Sequence, residues 1–180
     1  VKCLDVCPTK ALLGNNQIDS KKCISYLTIE HRGPFPRSLR KKIGNKVYGC
    51  DDCLSICPWN KFSKETNEKK LQAVNSNKNL SFFLNFNEED FKKYFYKSPI
   101  KRIGWIRFLR NIIIACGNSN DKKLVKYLYK YIDHESSLIR GSCLWSLFQL
   151  ESEKELKKVK KLILKKEKNN YVLNELRSFG

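Results

Sequence analysis

Six cysteines in the first 57 residues have the type and spacing to hold metal. Cys50, Cys53 and Cys57 follow C-x2-C-x3-C and are closed by Pro58, the latter part of a spacing that binds iron–sulfur clusters through thiolates. Cys3 and Cys7-Pro8 repeat Cys53 and Cys57-Pro58 at a constant offset of fifty residues (3 to 53, 7 to 57). The same offset carries Cys50 to position zero, so two further cysteines are expected just upstream of Val1. Where two clusters lie close together, the cysteine before proline serves the other cluster. By that rule Cys7 joins Cys50 and Cys53. Val47 stands where a longer motif would supply one more thiolate, which leaves Cys23 as the natural fourth ligand. Cys57 crosses over to join Cys3 in the first cluster. The alternative for these thiolates is a pair of tetrahedral zinc sites, although the repeated Cys-Pro and the x3 spacing are unusual for zinc.

The remaining cysteines, Cys116 and Cys143, sit alone in apolar helical runs and read as small buried apolar residues. The chain has 180 residues, contains no Met and starts at Val1, so it is expected to be a C-terminal piece of something longer. Thirty-six Lys and Arg against eighteen Asp and Glu give a net charge of +18, which favours a polyanionic partner over a solubility role. A lysine-biased composition is the plainer alternative. A 41% hydrophobic and 12% aromatic content is enough for real cores and argues against disorder throughout. No segment resembles a signal peptide, and none approaches the ~18 apolar residues of a membrane span. Clustered thiols without an export signal point to a reducing compartment and to metal rather than disulfides. A cytoplasmic monomer is the expectation.

The elements that must position these residues divide by composition. Residues 1–62 are rich in Gly, Pro and Cys, with short apolar runs such as Ile24 to Ile29, and suit a loop-rich fold around inorganic cores. Residues 63–79 turn polar and read as a linker. Residues 80–180 read as helices. Asn87 before Glu88, Glu89 and Asp90 predicts a capped helix that must end before Pro99. Further helices are predicted over 102–116, closed by Gly117-Asn118, over 122–132, over 137–150 and over 154–168. Superposing Leu109–Cys116 on Ile139–Ser146 aligns Arg110 with Arg140 at an offset of thirty residues, an α-solenoid signature, with an ordinary helical bundle as the alternative. The expected fold class is α+β, with a ferredoxin-like two-cluster iron–sulfur domain followed by an all-α repeat domain.

Several stretches together resemble one family. C-L-D-V-C-P-T-K-A-L (3–12), K-x-C-I-S-Y-L-T-I-E-H-R-G (21–33) and I-G-N-K-V-Y-G-C-D-D-C-L-S-I-C-P-W-N-K-F (43–62) are similar to epoxyqueuosine reductase. S-P-I-K-R-I-G, R-N-I-I-I-A-C-G-N and L-I-R-G-S-C-L-W-S-L resemble that family's HEAT-like repeats. The resemblance implies reduction of epoxyqueuosine to queuosine at the wobble position of tRNA. Electrons would pass from a donor protein or small reductant through two 4Fe-4S clusters to cobalamin. It also implies the same ligand sets: Cys7, Cys23, Cys50 and Cys53 for one cluster, and Cys3 and Cys57 for half of the other. Ser25, Asp51 and Asp52 would lie against the corrin. The family's cobalamin-binding domain and catalytic acid have no counterpart in these 180 residues, so no catalytic acid is assigned. The rival readings are a reductive dehalogenase-like corrinoid enzyme and a noncatalytic zinc module that binds nucleic acid.

Lys101, Arg102, Arg107 and Arg110 bracket Trp105, and cations beside an aromatic face suit the splayed bases of an anticodon stem-loop. The alternative is that Trp105 is core and that Arg110 and Arg140 bridge neighbouring repeats. Lys157 to Lys168 read as a solvated helix face, His31 as a loop histidine, and Trp59 as a shield between a cluster and water.

Overall fold

The computed structural model describes residues 1–64, 66–68 and 78–178, so most of the linker expected over 63–79 lies outside the described residues. The first half is short pieces held by local devices. Helix α1 (Lys2–Val6) leads to a hairpin of β1 (Leu12–Gly14) and β2 (Gln17–Ile18). Its two turn residues, Asn15 and Asn16, both take positive φ (48° and 59°), which a two-residue hairpin needs and asparagine tolerates. The Asp19 carboxylate accepts from Lys21 N–H at 3.1 Å and caps a 3-10 turn over Ser20–Lys22. Then come α2 (Ile24–Ile29), α3 (Arg37–Ile43), α4 (Asp52–Ser55) and a 3-10 turn over Pro58–Phe62. Helix α2 buries Ile24, Leu27 and Thr28, the i, i+3, i+4 stripe of an amphipathic helix.

The second half is helical, and the fold as a whole is mostly helix beside one small two-stranded sheet among the described residues. Asn79 caps α5 (Leu80–Phe83). Helix α6 (Glu88–Tyr94) opens on the expected cap, a reciprocal box in which Asn87 Oδ1 accepts from Asp90 N–H (2.8 Å) and Asp90 Oδ2 accepts from Asn87 N–H (3.1 Å). The helix expected from residue 102 begins later: Pro99–Ile103 is a 3-10 turn, Gly104 breaks it at φ 76°, and α7 runs Trp105–Asn118. Gly117 and Asn118 are the last two residues of that helix, and Ser119 is its C-cap. The segment expected as one helix over 122–132 is split into a 3-10 turn (Lys122–Leu124), α8 (Val125–Leu128) and another 3-10 turn (Tyr129–Tyr131). Helix α9 (Ser137–Leu150) matches expectation, α10 (Glu153–Leu164) stops short of residue 168, and α11 (Asn170–Arg177) was not foreseen.

Helices α7 and α9 are central and pack on one another. A Cβ on Gly117 would fall 2.9 Å from Ser146 Cα and 2.7 Å from the Trp145 ring, so a glycine is what lets α7 approach α9 this closely. Helix α9 is buried on most of its circumference, with Ile139, Cys143, Leu144, Trp145, Leu147 and Leu150 all covered. One core joins α6, α7 and α9, and another joins Leu144 of α9 to Val159, Ile163, Val172 and Leu176. A third crosses the chain's two halves: Ile24, Leu27, Phe35, Leu39 and Ile43 pack with Ile114 of α7 and Trp145 of α9.

Polar side chains of α7 complete that junction. The last carbonyls of a helix have no partner within it, and α7 supplies donors for those of α2 and α3. Arg110 Nη2 donates to Leu27 O at 3.0 Å, Asn111 Nδ2 to Thr28 O at 2.8 Å, and Arg107 Nη1 to Ile29 O at 3.0 Å. Arg110 Nη1 also donates to His31 O and Gly33 O at 2.8 and 2.7 Å. Asn118 Nδ2 donates to Arg40 O and Gly44 O, both at 2.8 Å, at the end of α3. Positive charge at a helix C-terminus is favourable in its own right. From the other side, Glu175 of α11 bridges Arg40 (2.6 Å) and Arg37 (3.2 Å) of α3. No helix among the described residues is long and apolar enough to cross a membrane.

Candidate metal centre

Four of the six clustered cysteines face one cavity of about 230 Å³: Cys7, Cys23, Cys50 and Cys53. Each arrives on a different support. Cys7 follows α1, Cys23 is the N-cap of α2, and Cys50 precedes a tight turn whose Asp51 sits in the left-handed region at φ 57°. That turn starts α4, which carries Cys53. The arms of Cys23 and Cys50 are tied together: Thr28, on the helix that Cys23 caps, accepts from the Gly49 N–H at 3.0 Å. Asn111 then holds Thr28 O and Val47 O at once, each at 2.8 Å. Asn111 of α7 therefore ties together the segments that carry Cys23 and Cys50.

The sulfurs are prepared unequally. Burial raises the Cys7 thiol, but hydrogen bonds from Ala11 N–H, the Thr9 hydroxyl and the N–H groups of Leu12 and Thr9 outweigh it, and its pKa lies below the ordinary thiol value. Cys50 is raised, first by burial and then by the Asp52 carboxylate, which is itself paired with Lys46 at 3.1 Å. Among the described residues no three His, Cys, Asp or Glu side chains converge closely enough to hold a single ion. Four thiols set around a cavity, rather than around a point, suit a polynuclear cluster, and an N–H group aimed at a sulfur suits a ligand thiolate.

The other expected residues are placed less uniformly. Cys3 lines a separate, open concavity of about 630 Å³ beside β1 and β2, and Cys57 is not among the residues lining it. Ser25, Asp51 and Asp52 lie on the wall of the four-cysteine cavity. Trp59 is 78% exposed, with the Phe62 ring 6.0 Å away between centroids. It does not line the four-cysteine cavity. Cys116 and Cys143 are fully buried, as expected, and burial pushes the Cys116 thiol up to about 12.

Arg110 does not face solvent. It is 0% exposed, lies 4.1 Å over the Phe35 ring, and spends its guanidinium on Asn111 and three backbone carbonyls. Burial first and the charge of Arg107 second bring its pKa down to about 9, so it stays protonated at neutral pH. Arg107 is half-buried, with its guanidinium committed to the carbonyls of Ile103, Ile29 and Arg102. The expected RNA contact at Arg110 is therefore corrected to a bracing role, and Arg107 shares that role. Arg110 reaches back to residues 27–33 rather than to a neighbouring helix pair, whereas Arg140 joins Glu167 (2.7 and 2.9 Å) to the carbonyls of His134 and Glu135. Trp105 packs on Phe91 at the core's edge. Lys101 and Arg102 are exposed; Arg102 pairs with Glu30 at 2.9 Å. Reading the sequence missed the α7 capping residues, whose only signal was polar Arg110, Asn111 and Asn118 within an otherwise apolar run.

Residues 1–60 match the family model of the 4Fe-4S double cluster binding domain. That match covers the same third of the chain as the four-thiol cavity. Over most of its length the chain is similar to the epoxyqueuosine reductases. It is 40% identical over 151 residues to the epoxyqueuosine reductase of Xanthomonas campestris, covering 82% of this chain and 42% of the relative. It is 50% identical over 119 residues to that of Francisella cf. novicida, covering 65% of this chain and 33% of the relative. A crystal structure of epoxyqueuosine reductase with an epoxyqueuosine-modified tRNA-Tyr stem loop superposes with a TM-score of 0.87 at 28% identity, over 98% of this chain and 47% of the other. The chain thus spans less than half the length of the relatives it matches.

Proposed function

We propose that the chain performs the cluster-bearing and RNA-holding part of the reduction of epoxyqueuosine to queuosine in tRNA. The observation that carries this is the convergence of Cys7, Cys23, Cys50 and Cys53 on one cavity, in a chain similar to that family. A 4Fe-4S cluster supplies one-electron transfer when bound. In this reading those four thiolates hold one cluster, and Cys3 and Cys57 contribute to a second. Residues 1–62 then act as a ferredoxin-like unit and residues 80–180 as a HEAT-like platform for the anticodon stem-loop, with Lys101 and Arg102 meeting its phosphates. Ser25, Asp51 and Asp52, beside the cysteines, offer polar contacts to cobalamin, whose cobalt supplies the reducing chemistry in this family. Asp52, paired with Lys46 at 3.1 Å, stands in the same wall as Cys50. A cytoplasmic monomer fed by a donor protein or small reductant completes the reading.

A chimera tests this. Residues 1–180 replace the matching segment of the Xanthomonas relative, and queuosine is measured by liquid chromatography of tRNA from a strain lacking its own reductase. Queuosine should reappear with the wild-type segment and not with Cys23→Ala. A chimera that folds and carries its clusters yet forms no queuosine would refute the proposal.

A further inference from the structure

The helical half buries its rings: Phe91 is 0% exposed, Phe95 7% and Phe108 2%. Tyr96 departs from this pattern at 66% exposed, the most open aromatic side chain among the described residues of that half. It stands just past the end of α6, where the chain turns sharply. Lys97 adopts φ 63°, a left-handed conformation uncommon for a non-glycine residue, and the Ser98 hydroxyl caps the following 3-10 turn through Ile100 N–H at 3.3 Å. This turn places the Lys97 ammonium 5.5 Å and the Lys101 ammonium 5.4 Å from the Tyr96 ring centroid. Arg102 follows, 62% exposed.

We propose that Tyr96, flanked by Lys97 and Lys101, is a stacking platform for an unpaired nucleobase. This rests on the reading of RNA as partner and names the residue that grips it. A flat π-face takes a base of any identity, and ammonium groups at its margin meet the phosphates on either side of that base. Nucleic acid supplies both chemistries at one-nucleotide spacing, and a chain of net charge +18 attracts it. The lysines need only swing from the ring to the phosphates as the base arrives, because both are exposed.

The 180-residue chain is titrated with a fluorescein-labelled RNA stem-loop carrying an unpaired loop, and with the same stem as a blunt duplex, at several salt concentrations. The variants are Tyr96→Leu, Tyr96→Phe, Lys101→Ala and Lys161→Ala. Tyr96→Leu should weaken stem-loop binding roughly tenfold with the salt slope unchanged, and should not alter duplex binding. Tyr96→Phe should bind as wild type. Lys101→Ala should flatten the salt slope by under about one unit, while Lys161→Ala has a smaller effect. Equal binding by wild type and Tyr96→Leu would overturn the platform and leave the RNA reading standing. Failure of the wild type to bind the stem-loop would overturn the RNA reading, and the platform with it.

Discussion

At Arg110 a positive charge sits where no water reaches it, and what keeps it there is a set of backbone carbonyls from a stretch about eighty residues earlier in the chain. Replacing it by Met keeps much of the apolar stem but strands the carbonyls of Leu27, His31 and Gly33. Unmade buried hydrogen bonds cost about 1–3 kcal/mol each, so Arg110→Met should lower unfolding free energy by about 3 kcal/mol or more in urea denaturation. Arg110→Lys should recover only part of that, since one ammonium cannot span three acceptors in fork geometry. A loss under about 1 kcal/mol would mean that water replaces the guanidinium. The grouping of Cys7, Cys23, Cys50 and Cys53 around one cavity was legible because thiolate chemistry and spacing leave few options. Arg110 was not, because an arginine in an apolar run looks the same whether its partner is a phosphate outside the molecule or a carbonyl inside it.

Among the elements, the contact of α7 with α9 is the most demanding. Within a helix alanine is favoured over glycine by up to about 1 kcal/mol. At Gly117 that gain is opposed by a Cβ too close to the Ser146 backbone, which cannot move aside as a flexible side chain would. Overpacking of this kind costs about 1–3 kcal/mol, so Gly117→Ala should lower Tm by several degrees rather than raise it. A raised Tm in thermal denaturation would show the two helices to be further apart than described. Helix α6 was legible from its cap, and α9 from an apolar run of helical length, although α9 has no side-chain cap and is buried on most of its circumference. Gly117 was ambiguous because glycine signals both a helix end and a close approach. Helix α11 was passed over although Asn169 caps it through Tyr171 N–H; its stripe is short, and buried Glu175 looks like a solvent residue until Arg37 and Arg40 are placed beside it.

The whole molecule is built so that the helical part holds the cysteine part in shape. Composition marks a change near residues 63–79, yet Leu27, Phe35 and Ile43 share a core with Ile114 and Trp145, and Asn111 anchors both Thr28 and Val47 next to Cys23 and Cys50. That interleaving depends on contacts far apart in sequence, and periodicity does not report them. The measurement that tests the account most directly is iron content after anaerobic reconstitution with ferrous iron and sulfide, followed by gel filtration. The chain supplies four cysteines around one cavity, with Cys3 and Cys57 outside it. It should therefore retain about four irons per chain with absorbance near ~400 nm, and Cys23→Ala should lose them. Full iron retention in Cys23→Ala, or a colourless protein that retains zinc instead, would contradict the assignment.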